Sequence, residues 1–413
     1  MKRTLLIVWV LLAALGMRAQ LTVVSGTVVD NETGEPVAGA SVTMGTVAVV
    51  TNDDGFFSLK YETADEEIVV SHLGYASQRI TVPTEGTDEP LRIRLRPAAI
   101  QLQEVLVMGG DARDLVYAAI DRIPYNYSRQ PELLHGFYRE KVMKRQNYIN
   151  VAEGVVDLYK TSYRRGTNHD RTAIRKGRRL MSQKRGDTLV VKVMGGPTAA
   201  VLLDVVKNTE LLLDGNELEL YDLKMELPTV IGDRRQYVVS LAPRATVDYA
   251  LYNGRLYIDQ ESLAFTRAEL ELDMRDRDKA TRAMLVKKPF GLRFRPKELS
   301  IIADYRRGAD GVMRMSYVRT TMRFNCDWRR RLFATSFSAF CEMAVTDLAV
   351  SGDAVQPIRG RDSFDQRDAF FDKVDFFLDP AFWQDYNIIE PTESLDKAID
   401  KLVKRNKTTS SNQ

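Results

Sequence analysis

The sequence predicts a mainly β protein: a small β-sandwich, then a large antiparallel sheet with a few helices. Three observations carry this. Residues 21–97 alternate apolar and polar in short runs broken by Asp, Asn, Gly and Pro. From about 136 to 347 the alternating runs are longer and follow one another closely. Helical spacing is confined to about 111–123, 198–207 and the C-terminal stretch. A period of two puts alternate side chains on one face of a strand, whereas a helix repeats every 3.6 residues. At about 150 residues per domain, 413 residues allow two or three domains. Hydrophobic residues at 44% and charged residues at 28% are ordinary for globular chains.

The chain opens Met1-Lys2-Arg3, runs apolar from Leu5 to Leu15, and continues Gly16-Met17-Arg18-Ala19-Gln20. A basic start, a short apolar stretch and a small residue describe a secretory leader. Residues 1–19 are expected to be a signal peptide, with the mature chain starting at Gln20. The run is shorter than the ~20 apolar residues of a membrane span, and no later run reaches that length. No transmembrane segment is expected, and no Cys lies near the cut to carry a lipid.

The whole chain is formally +3, and loss of Lys2, Arg3 and Arg18 leaves the mature chain neutral. That neutrality hides an asymmetry. Residues 20–107 are net −8, residues 108–350 net +11 and residues 351–413 net −3. Opposite local charges suggest domains docking on one another, or an anionic partner for the middle.

In residues 20–97, short runs at Val23–Val29, Ala40–Met44, Val47–Val50, Phe56–Leu59, Ile68–Ser71 and Leu91–Leu95 are separated by turn signals such as Asp30-Asn31 and Asp54-Gly55. That pattern predicts a sandwich. The motifs Gly26-x-Val28-x-Asp30, Thr33-Gly34-Glu35-Pro36-Val37-x-Gly39-Ala40-x-Val42, Asp53-x-Gly55-x-Phe57 and Ser71-x-x-Gly74-Tyr75 resemble the carboxypeptidase-regulatory-like domain. The resemblance implies a transthyretin-like sandwich acting as an interaction module in envelope proteins of the Bacteroidota type. It does not imply peptidase activity, because none of His72, His135 and His169 opens a His-x-x-Glu motif. Residues 98–110, containing Leu102-Gln103-Glu104-Val105, resemble the linker that follows such domains. The same domain precedes the plug and barrel of outer-membrane receptors. The roughly 310 residues that remain here are too few for a plug and a barrel of about 22 strands.

Residues 111–350 form the second expected domain. Asp111 is placed to cap a helix running to Ile123, with Pro124 ending it. Strands are expected at about 136–146, 148–160, 188–194, 218–227, 235–242, 247–258, 262–274, 281–288, 292–305, 312–326 and 331–347, with a helix at about 198–207. Gly136-Phe137-Tyr138-Arg139-Glu140, Gly195-Gly196-Pro197 with Asp204, and Leu256-Tyr257-Ile258-Asp259-x-Glu261-Ser262-x-Ala264-x-x-Arg267-Ala268-Glu269 resemble the remainder of a family carrying the regulatory-like domain. The last motif also resembles lipoprotein-carrier half-barrels. That resemblance implies a curved sheet wrapped around a helix, with a concave face that holds lipid or peptide or is filled by the helix.

The densest charge lies at 163–186, where nine basic residues face one acid, Asp170. Arg175, Lys176, Arg178 and Arg179 are candidates for contact with phosphate or carboxylate groups, because Arg forks suit planar anions. A solvated basic loop is the plainer reading. An exported protein does not meet nucleic acid. Two Cys and three His exclude cysteine-rich metal sites, so no metal or cofactor is expected. No Gly-x-Ser-x-Gly, phosphate-binding Gly-rich loop or His-Glu-x-x-His occurs, and no catalytic residue is proposed. Asp273, Asp276 and Asp278 among Arg275, Arg277 and Lys279 suggest a charge-laced turn. Cys326 and Cys341 are expected in one hairpin, with Cys341 near Ser316 and no disulfide.

Residues 351–413 begin with a polar loop. Phe370-Phe371-x-x-Val374-x-x-Phe377-Leu378 has helical spacing, Asp379-Pro380 suits a helix start, and Ser394 can cap a last helix through Leu402. Phe382, Trp383 and Tyr386 are aromatic docking candidates, or rings that pack on the sheet. The function expected is a non-catalytic, exported binding protein, periplasmic or peripheral to the outer membrane, with an envelope protein, lipid or anionic glycan as partner. The alternatives are a periplasmic lipid or lipoprotein carrier and an envelope glycan hydrolase, which would need two facing carboxylates.

Overall fold

The short runs of the first 97 residues form seven strands: β1 (Thr22–Asp30), β2 (Ser41–Met44), β3 (Val47–Val50), β4 (Phe56–Tyr61), β5 (Glu67–Ser71), β6 (Gln78–Thr81) and β7 (Leu91–Leu95). They make two sheets, β4-β1-β7 and β3-β2-β5-β6, in which β1 and β7 run parallel. Val24, Val28, Val42, Phe57, Leu59, Ile68, Val70 and Ile93 fill the space between them. Gly55 has φ +74°, and a Cβ there would lie 2.5 Å from the carbonyl oxygen of Val28, so the Asp54-Gly55 turn needs glycine. This computed structural model describes residues 21–62, 67–82, 89–98, 111–182, 192–287, 290–328, 334–352, 354–376 and 382–410. The leader, most of the 98–110 linker, Lys184, Arg185, most of the 188–194 run and Asp379-Pro380 lie outside the described residues.

The second region is one open sheet. After α1 (Ala112–Asn126) come β8 (Glu132–Lys144), β9 (Asn147–Lys160) and β10 (Arg171–Met181). Two short helices follow, α2 (Gly196–Leu202) and α3 (Gly215–Leu218), then β11 (Tyr221–Ile231), β12 (Arg234–Pro243), β13 (Tyr252–Asp259) and β14 (Phe265–Leu272). α4 (Arg277–Met284) leads to β15 (Leu292–Arg307), β16 (Met313–Trp328) and β17 (Thr335–Ser351). The chain ends with α5 (Phe370–Lys373), the two-residue β18 (Asp375–Phe376) and α6 (Glu393–Ser410). The spatial order is β11-β12-β13-β14-β15-β16-β17-β8-β9-β10-β18, antiparallel except for β10 with β18. β17 returns to pair with β8, so the first and last long strands meet in mid-sheet.

The inner, concave face is covered by the chain itself. Val116, Ala119 and Ile123 of α1, Ala200 and Val201 of α2, and Val205, Val206, Leu212 and Leu213 pack on Tyr138, Val156, Leu256, Ala268, Ala303, Met315 and Met343 of the strands. The C-terminal segment adds Phe370 and Val374 to the same core. It fits because Gly154 and Gly177 face each other across β9 and β10. A Cβ at Gly154 would lie 2.6 Å from the Phe370 ring, and one at Gly177 would lie 2.3 Å from Val374.

Several local expectations change. The 163–186 segment is not only a loop, because Arg171–Met181 is β10. The stretch expected as a strand at 281–288 begins as α4, since the Asp276 carboxylate accepts from the Asp278 and Lys279 N–H groups and starts a helix. The helix expected to reach 207 stops at Leu202, and Asp204 turns inward. Pro124 sits within the last turn of α1, which runs on to Asn126. The helical spacing after Phe370 yields one turn and then β18. Cys341 faces Thr320 rather than Ser316, and both thiols are free.

Candidate functional site

The outer face of the sheet carries a row of alternating charge. In register across five strands stand Arg319 (β16), Glu342 (β17), Arg139 (β8), Glu153 (β9) and Arg178 (β10). Strand alternation turns these side chains away from α1 and α2, and opposite charges directly across a pair of strands attract. Arg139 Nε donates to Glu153 Oε1 at 2.7 Å, and Arg178 Nε to Glu153 Oε2 at 2.8 Å. Glu342 lies 3.6 Å from Arg139 and 3.4 Å from Lys141, and accepts from the Tyr317 hydroxyl at 3.2 Å. Arg319 reaches Asp53 of the sandwich at 3.0 Å. Burial opposes ionisation of Glu342, but Lys141, Arg139 and Arg319 outweigh it and hold the carboxyl at about 2. Glu153 is held below its usual range in the same way, with burial opposed by Arg139 and Arg178.

Beside this row runs a second one, Tyr317, Ala344, Phe137, Val155 and Lys176. The aromatic strip seats on it. Phe382, Trp383, Ile388 and Ile389 pack with Phe137, Val155, Tyr317 and Ala344, and with Val50 of the sandwich. The C-terminal segment therefore reaches both faces, with Phe370 inside and Trp383 outside. Arg139 Nη2 donates to the Ile389 carbonyl at 2.6 Å. Lys60 of β4 donates through Nζ to the Trp383 and Tyr386 carbonyls, and its backbone exchanges two hydrogen bonds with the Asn387 side chain. The sandwich is thus held on the outer face through the C-terminal segment.

The two groups of sequence-predicted site residues largely meet each other. The Lys176 ammonium lies 4.3 Å from the Phe382 ring centre and 5.6 Å from that of Tyr386. Arg178 lies over Trp383 at 5.4 Å, within cation–π range. Arg179 donates to the Phe371 carbonyl at 2.9 Å. Arg175 pairs with Asp157 at 2.8 Å but keeps 41% of its side chain exposed, and Arg164 and Arg165 are exposed. His135 Nδ1 donates to the same Asp157 at 2.8 Å, and His169 ends a short 3-10 turn. Asp273 holds Arg275, and Asp276 caps α4.

The inner face holds a buried polar cluster that spacing did not single out. Asp204 accepts from Lys160 Nζ, from the Tyr163 hydroxyl at 2.8 Å and from the Tyr305 hydroxyl at 2.9 Å. Lys207 donates to Asp170 at 2.6 Å and to the Thr161 carbonyl. Glu140, also inside, has one oxygen without a hydrogen-bond partner among the described residues, and burial raises its carboxyl to about 8.

Between the sandwich and the β11–β16 side of the sheet lies a cleft of about 240 Å³. His72 and Ser77 line it from the sandwich; Arg234, Arg267, Arg306 and Ser316 line it from the sheet. The Ser77 N–H donates to Asp233 and the Gly74 N–H to the Val230 carbonyl, which fixes its walls. Arg306 also borders a neighbouring cleft of about 260 Å³ lined by Arg314 and Asp347.

Residues 24–107 match the family model of the CarboxypepD_reg-like domain. Among solved structures, the chain is similar to a domain from Vibrio parahaemolyticus assigned to outer membrane lipoprotein sorting, at 9% identity over 60% of this chain and 95% of that one, with a TM-score of 0.27. It is similar to a LolA superfamily protein from Nitrosomonas europaea, at 11% identity over 56% and 94%, with a TM-score of 0.20. A membrane-associated protein from Bacteroides fragilis is covered to 99%, over 80% of this chain, at 9% identity and a TM-score of 0.16. Scores this low add nothing to the sheet order and packing given above. A search of curated proteins found no match. No helix among the described residues is long and apolar enough to cross a membrane.

Proposed function

We propose that this chain is an exported, non-catalytic binding protein of the cell envelope, periplasmic or peripheral to the outer membrane. In this reading the sandwich and the sheet form one recognition unit, and partners are met at their junction and along the basic end of β10. The observation that carries it is the filled inner face: α1, α2 and the 203–213 segment occupy the concavity that a lipid carrier would keep open. The regulatory-like domain match and the leader pattern support the envelope setting. Arg164, Arg165 and Arg175 are the exposed cations for an anionic envelope partner.

The test is retention of the exported protein on envelope fractions. Exposed charges are screened as the Debye length falls from ~10 Å at 0.1 M salt to ~3 Å at 1 M. Retention should fall with salt, and should fall at low salt when Arg164, Arg165 and Arg175 are each changed to Glu. Retention indifferent to both contradicts the reading. Arg178 and Arg179 are unsuitable for this test, because the first pairs with buried Glu153 and the second ties down the Phe371 backbone.

A further inference from the structure

The cleft between sandwich and sheet holds more donors than the protein satisfies. Arg234 pairs with Asp259 at 2.6 Å, Arg267 with Asp304 at 2.8 Å, and Arg307 bonds the Gly311 carbonyl and Ser262 hydroxyl. The acids lining the cleft are likewise engaged: Asp233 by the Ser77 N–H, Asp259 by Arg234, and Asp304 by Arg267. Arg306 differs. Its Nη1 is buried without a hydrogen-bond partner among the described residues. It stands in register with Arg314, a like charge, which is itself neutralised by Glu132 and Asp310 at 2.7 and 2.6 Å. The His72 Nδ1 and the Ser77 hydroxyl, which line the same cleft from the sandwich, are also buried without partners. Unmade hydrogen bonds of buried groups are costly, most of all for a charged one. These three groups come from two modules, and their residues line one cleft.

We infer that this cleft binds an anionic group, a carboxylate or a phosphate, carried by a polar molecule no larger than one sugar ring. Arg306 supplies the charge, and Ser77 and His72 supply neutral hydrogen bonds from the opposite wall. Charge-assisted bonds from guanidinium to such oxygens are among the strongest available in proteins. A group of that size suits the volume, which lies below the ~300 Å³ at which drug-sized pockets begin. Burial and Arg267 hold His72 neutral, with a pKa near 4, so its ring does not add a second charge. Asp347, whose Oδ1 is buried without a partner in the neighbouring cleft, faces the same guanidinium and weakens its pull on an anion. A ligand here touches both modules and so stabilises their docking.

This deepens the binding reading, and its test uses purified protein, so its outcome is separable from envelope retention. Glucuronate, glucose 1-phosphate and neutral glucose are titrated by calorimetry at constant ionic strength. Saturable binding of either acid, with none of glucose, is the result expected; which acid binds assigns the carboxylate or the phosphate. Arg306→Gln should lower affinity at least tenfold. Ser316→Phe, which narrows the cleft but keeps the guanidinium, should abolish binding even where Arg306→Gln does not fold. Asp347→Asn should tighten binding several-fold. The inference is overturned if neither acid binds saturably, if glucose binds equally well, or if Ser316→Phe binds like the wild type.

Discussion

Two glutamates on neighbouring strands show how differently the two faces of the large sheet are built. Glu140 of β8 points inward, among Tyr138, Phe371 and Cys341, where burial drives its carboxyl up to about 8. Glu342 of β17 points outward and is also buried, yet its carboxyl sits near 2. Both lose water. Only Glu342 has cations beside it: Lys141 diagonally across on β8, and Arg139 and Arg319 in register on either side. Burial alone therefore does not decide ionisation; the charges on neighbouring strands do. The inner face is a core closed by apolar packing, with polar groups neutral or tightly paired. The outer face is an ionic row closed by a second domain.

The sharpest way to break this contrast is Glu153→Ala. It leaves Arg139 and Arg178 without their shared carboxylate, and losing one partner of a buried pair costs about 3–5 kcal/mol. Denaturant unfolding measures it; a loss under 1 kcal/mol contradicts a structural role for the row. Next is Glu140→Gln. The folded carboxyl titrates near 8 against 4.5 for the unfolded chain, so the folded state holds the extra proton between those values. Stability then falls by up to ~1.4 kcal/mol per pH unit as pH rises from about 4.5 to 8, and is level above. The glutamine variant should lose that slope, gaining up to about 5 kcal/mol at pH 8.5 and almost nothing at pH 4.5. Equal effects at both pH values would contradict a neutral Glu140. Glu342 gives the opposite slope: its depressed pKa contributes stability above about 4.5 that is lost as pH falls toward 2. The smallest effect belongs to Asp53→Ala. Its ion pair with Arg319 is half exposed, so unfolding should shift by under about 1 kcal/mol. A larger loss would make that pair, rather than the Trp383 strip, the main fastening of the sandwich.

The sandwich was legible because its turns announce themselves: Asp54-Gly55 needs positive φ, and the runs on either side alternate. The long strands from 136 to 347 were legible by period. β10 was not, because Arg175, Lys176, Arg178 and Arg179 crowd it with charge that reads as solvent-facing. In the fold, several of those cations lie under the aromatic strip. The ionic row was invisible for another reason. Arg319, Glu342, Arg139, Glu153 and Arg178 become neighbours only through strand register, and register is a property of the whole sheet. The aromatic strip and the basic strand are each visible in the sequence; that Lys176 and Arg178 stack on Phe382 and Trp383 depends on the fold and leaves no trace in spacing. The cleft around Arg306 combines residues more than 200 positions apart and left no local signal.

The central claim is that the concave face is filled and that binding belongs to the junction with the sandwich. Native mass spectrometry of the exported protein, taken from the envelope without detergent exchange, tests it most directly. The account predicts the bare chain mass, with no lipid adduct. A stoichiometric lipid that is lost when Val116 or Val201 is changed to Trp would show an open, lipid-filled concavity and contradict it.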